Sequence, residues 1–336
     1  MKKIAFLLTL GLTLPVAAGW TEGIGYFDKQ QYSQAFSEFK PLADQGDRRA
    51  QYYVAYMYFN GFGVGRDDQA GLSYLKKSTD QEYEKAQALL GYLYSEGRIV
   101  PKDKIMATKL YEAAAESDDD DALLNLGVMY YLGDGIDRDV PRAIGYLERV
   151  NIVNKPIVGR YLGDIYQYQD TPDSRAKSRK SYLQSAAAGD IGSFHSLAFM
   201  EQTGRDDDKN LDIAVKYYTY AASRGYAPSQ YVLGAMYANG EGLPRNIITA
   251  YAWMTLSANQ GLDVAIEGQK QLAKDLTLSE IEQARKKMIE IQTTVIGKVE
   301  SPLNPTAVAA QTGEKPSKPA EQQRKKKSRR SGGRRR

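Results

Sequence analysis

The sequence predicts an all-α chain built as a solenoid of stacked helix pairs, and three observations carry that reading. The blocks Ala50–Tyr58, Ala86–Tyr94 and Ala122–Tyr130 align without gaps, 36 residues apart. The column Val54, Leu90, Leu126, Leu162, Leu197, Leu233 keeps that period with one step of 35. Gly-rich turns at 60–63, 132–135 and 239–242 divide the units they fall in. One helix pair cannot bury its own apolar stripe, so a fixed period of this length implies stacking.

Composition removes most catalytic chemistry. There is no Cys, which excludes disulfides, thiolate zinc sites and cysteine nucleophiles. His195 is the one His, so no site of two histidines exists within the chain and any Ser-His-Asp triad would need it. The 25 Tyr stand out against 8 Phe. Many fall in repeat columns, as packing residues whose hydroxyls reach the surface. The net charge of +4 hides a contrast: residues 1–19 carry +2 and 301–336 carry +9, which leaves −7 on 20–300.

At the start, Met1-Lys2-Lys3 precedes the apolar run Ile4–Val16 and the small residues Ala17 and Ala18. This is the pattern of an export signal over 1–19, cut after Ala18 or Gly19. The apolar run is short for a membrane anchor. No Cys follows for lipid attachment, and no later stretch approaches ~20 apolar residues. The mature chain is therefore expected in the periplasm or secreted.

Residues 20–49 read as an N-terminal half-repeat, with Tyr32 to Gly46 as the second helix of an incomplete pair. Six repeats are expected over 50–261. In each, a first helix of nine to eleven residues carries apolar residues three and four apart. Asp67, Asp103, Asp139, Asn210 and Asn246 recur in register as N-caps of the second helices. The second helix is expected to carry a small column (Gly71, Ala107, Ala143, Ala214, Ala250) that lets helices approach closely and a bulky one (Tyr74, Leu110, Tyr146, Tyr182, Tyr217, Trp253) that fills the gap between them. Gly46, Gly189, Gly225 and Gly261 end second helices. Residues 262–298 read as capping helices, with Thr277-Leu-Ser-Glu280 as a capping box. From 299 to 336 Pro, Gln, Lys and Ser dominate, so a disordered basic tail is expected.

The motifs Leu90-Gly91-Tyr94-Gly97, Leu126-Gly127-Tyr130-Gly133-Gly135 and Leu233-Gly234-Tyr237-Gly240-Gly242, with Ala186-Ala187-Gly189 and Ala221-Ala222-Gly225, resemble the Sel1-like repeat family, relatives of the tetratricopeptide repeat. The resemblance implies a right-handed α-solenoid and a non-enzymatic adaptor that binds a protein or peptide. The fourth unit departs from the pattern at Gln169-Asp-Thr-Pro172, which lacks glycines. The fifth departs at Glu201, which replaces the Tyr.

In stacked pairs the first helices line the concave side. Their third, seventh and tenth positions form the candidate groove: Tyr52, Tyr56, Phe59, Tyr92, Val128, Tyr131 and Phe199 are its aromatic and apolar members. That stripe suits a peptide or helix ligand, and the alternative is plain packing between repeats. His195, without a second His or Cys, reads as a groove or packing residue. The run Asp118–Asp121 lacks the spacing and glycine of a calcium loop and reads as a solvated helix start. The Gly-x-Gly turns lack a following Gly-Lys-Ser/Thr and read as turns, not phosphate cradles. No cofactor or metal is expected.

The tail run Arg324, Lys325, Lys326, Lys327, Arg329, Arg330, Arg334, Arg335 and Arg336 would suggest nucleic acid in a cytosolic protein. Behind an export signal its partner is expected to be an anionic envelope polymer such as peptidoglycan or lipopolysaccharide, an anionic headgroup, an acidic protein or the acidic body itself. A merely solubilising tail is the alternative. A cell-wall or polysaccharide enzyme needs only two carboxylates, but no pair stands out among the many.

Overall fold

Helix pairs stack in series, as the period requires. The computed structural model describes residues 16–204 and 209–312, and among them there are seventeen helices and no strand. The chain divides into two compact units at Val150.

The first unit holds α1 (Val16–Asp28), α2 (Tyr32–Asp44), α3 (Arg48–Asn60), α4 (Asp68–Thr79), α5 (Glu84–Glu96), α6 (Lys104–Ala115), α7 (Asp120–Leu132) and α8 (Val140–Arg149). Odd helices are the first of each pair. The N-caps form as spaced: Asp67, Asp103 and Asp139 accept bonds from backbone N–H groups two or three residues on. Each satisfies donors that a helix start leaves open. Asp47 and Asp119 do the same for first helices. Gly61, Gly97 and Gly133 end first helices in the left-handed region, where a Cβ would be strained. In the second turn the position of Gly63 and Gly135 is held by Ile99, which takes φ +67° despite its branched side chain.

The half-repeat over 20–49 needs correction. Helix α1 completes its pair, and Gly23 lies so close to Phe39 that a Cβ would sit 2.5 Å from the ring. The sequence hid this helix because it lacks the Leu-Gly motif and starts inside the expected export signal. Residues 1–15 of that signal lie outside the described residues.

The bulky column also needs correction. The residue packed on the small or glycine position of the first helix is Leu75, Tyr111, Leu147, Tyr182, Tyr218 and Met254, each at most 5% exposed. A Cβ on Gly91 would lie 3.0 Å from Tyr111, and one on Gly127 only 2.4 Å from Leu147. Five of the expected residues thus sit one place early, and Tyr74, Leu110, Tyr146 and Tyr217 are half-buried. Two adjacent bulky residues differ by about 100° around a helix, and only the crossing of the pair selects between them.

Polar bonds set the register within each pair and between successive pairs. Ser78 Oγ donates to Arg48 O at 2.6 Å, and buried Gln51 donates to Ala43 O at 3.2 Å. In the second unit Ser257 Oγ donates to Ala227 O at 2.8 Å and Gln230 to Ala222 O at 3.1 Å, the same contacts repeated.

That unit holds α9 (Ile157–Gln169), α10 (Pro172–Ala188), α11 (Ile191–Thr203), α12 (Leu211–Ser223), α13 (Ala227–Asn239), α14 (Ile247–Ala258), α15 (Asp263–Ala273), α16 (Leu278–Thr294) and α17 (Pro305–Thr312). Helix α10 starts on a capping box of Thr171 and Ser174 with Pro172 in its first turn, which replaces the glycine turn of other repeats. The capping box at Thr277 and Glu280 is formed.

The disordered tail expected from 299 is corrected for its first part. Leu303 and α17 pack on α10 and its neighbours, with Val308 buried. The short apolar run Ala307–Ala310 is too brief to stand out by periodicity and orders only against an apolar surface. Residues 313–336, with every basic residue of the tail run, lie outside the described residues.

Candidate partner-binding face

Within the first unit α5 approaches α7, and within the second α9 approaches α11. First helices of successive repeats are thus neighbours, which makes their shared side the inner one in each unit.

On that side of the first unit lies a cluster of rings. Tyr52 stacks with Tyr56 at 6.4 Å between centroids and meets Tyr53 and Tyr83 edge-on at 5.4 and 5.7 Å. Tyr56 meets Phe27 at 6.2 Å and Phe62 at 6.0 Å, and Phe62 stacks on Tyr32 at 4.4 Å. Pairs at such distances add to the area that each ring buries. Burial holds the Tyr52 phenol well above its usual pKa and pushes Tyr83 up to about 12. Both hydroxyls stay neutral at any physiological pH.

Tyr92, on α5, is 37% exposed, and its hydroxyl accepts a bond from Arg98 at 3.4 Å. Val128 and Tyr131, on α7, are half-buried, with the Arg138 guanidinium 5.7 Å from the Tyr131 ring. Phe59 lies elsewhere, over Gly71, where a Cβ would sit 2.6 Å from its ring. It fills the α3–α4 pair instead of the groove. Phe27 and Phe62 belong to the ring cluster and were missed. Phe27 sits on the unrecognised α1, and Phe62 lies in a turn that helical periodicity does not cover.

The Asp118–Asp121 run at the start of α7 is structural where it is bonded. Asp118 pairs with Arg149 at 2.7 Å, and Asp119 caps the helix. Burial pushes the Asp119 carboxyl upward, with the nearby Asp121 adding to it. No group of three or more metal-ligating side chains occurs among the described residues.

In the second unit the same positions are mostly polar. Tyr182 donates its hydroxyl to Asp164 at 2.6 Å, and Arg160 pairs with Asp190 at 3.1 Å. Burial raises the Asp164 carboxyl, against the pull of Tyr182 and Arg160. His195 Nδ1 lies 3.0 Å from Ser229 Oγ, and its ring contacts Tyr218 and Tyr226. Burial lowers its pKa to about 4. Phe199, 45% exposed, lines a cleft with Pro172, Arg175 and Met200. Glu201, in place of the usual Tyr, is buried and paired with Arg179.

An apolar, ring-lined face on stacked helix pairs defines a repeat-built scaffold. The Sel1 repeat model matches residues 48–83, 84–119, 120–149, 195–226 and 227–262, half of the chain, and the chain belongs to the Sel1 repeat family. The gap at 150–194 coincides with the fourth unit, whose turn has no glycine.

Proteins of this family generally mediate protein–protein interaction, on a fold that is typically a non-catalytic scaffold. Among solved structures, c5321, a protective antigen of uropathogenic Escherichia coli strains with an SLR fold, aligns with a TM-score of 0.76 at 22% identity. The alignment covers 90% of this chain and 65% of c5321, so this chain spans less than two thirds of that relative. A Sel1 repeat protein from Oxalobacter formigenes aligns with a TM-score of 0.60 at 25% identity over 76% of each chain. No curated protein matches the sequence. No helix among the described residues is long and apolar enough to cross a membrane.

Proposed function

We propose that the chain is a non-enzymatic scaffold of the periplasm that receives a protein or peptide on the inner face of its first unit. The supporting observation is the band formed by Tyr52, Tyr56, Tyr92, Val128 and Tyr131 on three successive first helices, each exposed or half-exposed. Tyrosines offer large contact area at low entropic cost, and a groove of this kind suits an apolar peptide segment. The export pattern at 1–19 supports the location. Removal after Ala18 or Gly19 would spare Trp20, whose ring packs on Phe39 and Tyr53 at 5.5 and 5.6 Å.

A displayed peptide library selected on the full chain tests the face. Selected peptides are expected to bind a Tyr92→Ala, Tyr131→Ala double variant at least tenfold more weakly, as loss of a central tyrosine anchor implies. Tyr52 and Tyr56 are left in place because their rings also hold the cluster together. Equal binding to the folded variant moves the site off this face.

A second reading rests on the basic run from Arg324 to Arg336: targeting to an anionic envelope polymer. Such attraction comes mainly from counterion release, so retention on immobilised lipopolysaccharide is expected to fall steeply with salt and to vanish in a chain ending at residue 312. Groove binding of an apolar peptide should change little with salt. Undiminished retention of the shortened chain removes this reading.

A further inference from the structure

The second unit keeps a site closed with its own chain. At the place of Leu183, the other repeats carry Lys76, Glu112, Glu148, Thr219 and Thr255, all polar. Leu183 is only 4% exposed, and the segment covering it is α17.

The route of that segment is defined. Gly297 N donates to Ser223 O at 2.7 Å, and the Arg224 guanidinium donates to Gly297 O and Val299 O at 3.3 and 3.2 Å. The chain is thereby pinned at the C-terminal end of α12. Leu303 and Val308 then pack against Tyr182, Leu183, Ala186 and Phe194. Further on, Gln311 lines a cleft with Arg179 and Lys180, in the middle of α10, and with Asn210, the N-cap of α12. Helix α17 thus runs antiparallel to α10, and its last turn ends beside the cleft lined by the positive charges of Arg179 and Lys180. That is the sign of charge a helix C-terminus favours.

The closure is slight. Eight residues do not hold a helix by themselves, and the described side chains that this one buries are Val308 and Thr312. The surface beneath is an apolar furrow between two second helices, the geometry in which amphipathic helices are recognised.

We infer that the furrow between α10 and α12 is a second binding site, for a short amphipathic helix of a partner, which the chain closes with residues 303–312 until that helix displaces them. The matching helix carries an aliphatic side chain at the place of Ala309 and a carboxylate at the place of Gln311, facing Lys180, since Arg179 is already paired with Glu201.

The full-length chain and synthetic peptides of residues 301–312 provide the test. Val308→Asp should release α17, and the labelled peptide should bind this variant at least tenfold more tightly than it binds the wild-type chain. A peptide with Ala309→Leu and Gln311→Glu should bind more tightly still. Leu183→Glu should be tolerated, because Glu112 and Glu148 occupy the same place in other repeats. It should speed amide exchange over 303–312 at least tenfold and abolish peptide binding. Leu303→Ser replaces Val308→Asp if the latter loses helix content. Unchanged exchange in Leu183→Glu, equal peptide binding by wild type and released variant, or no binding to a folded released variant each overturns the site. Failure of the doubly substituted peptide to gain affinity overturns the ligand chemistry. None of these readouts involves the ring cluster of the first unit.

Discussion

Leu126→Ala is expected to lower the unfolding free energy by about 2–5 kcal/mol, the range for a buried Leu whose cavity cannot collapse. Leu126 has no exposed surface, and it sits in α7 beside Gly127, where Leu147 already approaches within 2.4 Å of a notional Cβ. Closing the void would require α7 and α8 to shift together. The place of α7 is set from both sides, by the Gly127 approach to α8 and by the Tyr130–Glu112 bond at 3.2 Å that ties it to α6. In a linear array each unit is stabilised chiefly by its neighbours, so an interior defect also weakens the coupling across it. The midpoint of a denaturant titration measures this, with Tyr168→Ala as the control. Tyr168 is 80% exposed, and its loss should stay within about 0.5 kcal/mol. A similarly small cost for Leu126 would mean that the repeat register is wrong.

The second large effect depends on pH. Burial holds His195 near pKa 4, below the ordinary 6.5, because the ring lies among Tyr218, Tyr226 and Ser229 where an imidazolium would lose its water. Proton binding sets the sign. Above pH 6.5 neither state is protonated and nothing is lost. Between 6.5 and about 4 the unfolded chain takes up a proton that the folded chain refuses, so stability falls as pH falls. Below about 4 both states carry the proton and the loss is complete, at up to about 3 kcal/mol. Carboxylates also titrate over this range, so the quantity to measure is the difference between wild type and His195→Gln. The variant should lack this component of the pH 7-to-4 decline. Parallel curves for the two chains would show that His195 takes up its proton as readily in the folded chain as in the unfolded one, contrary to its enclosed position.

By itself the sequence determined what depends on short-range geometry. The helix pairs from α3 to α14, the N-caps Asp67, Asp103, Asp139, Asn210 and Asn246, the glycine turns and the Leu column were legible, because each reflects contacts three or four residues apart or a φ that only certain residues accept easily. The stripe holding Tyr52, Tyr56, Tyr92, Val128 and Tyr131 followed from the same periodicity. Tertiary structure decided whatever required a second element. It chose Leu75 over Tyr74 and Tyr111 over Leu110 as the buried partner, since the crossing of two helices sets which neighbour points inward. It turned Phe59 onto Gly71, added Phe27 and Phe62 to the ring cluster, and ordered α17. An eight-residue segment of low apolar content has no preference strong enough to announce itself in sequence. Its helix exists because Leu183 and its neighbours, more than a hundred residues earlier in the chain, provide the surface that it covers.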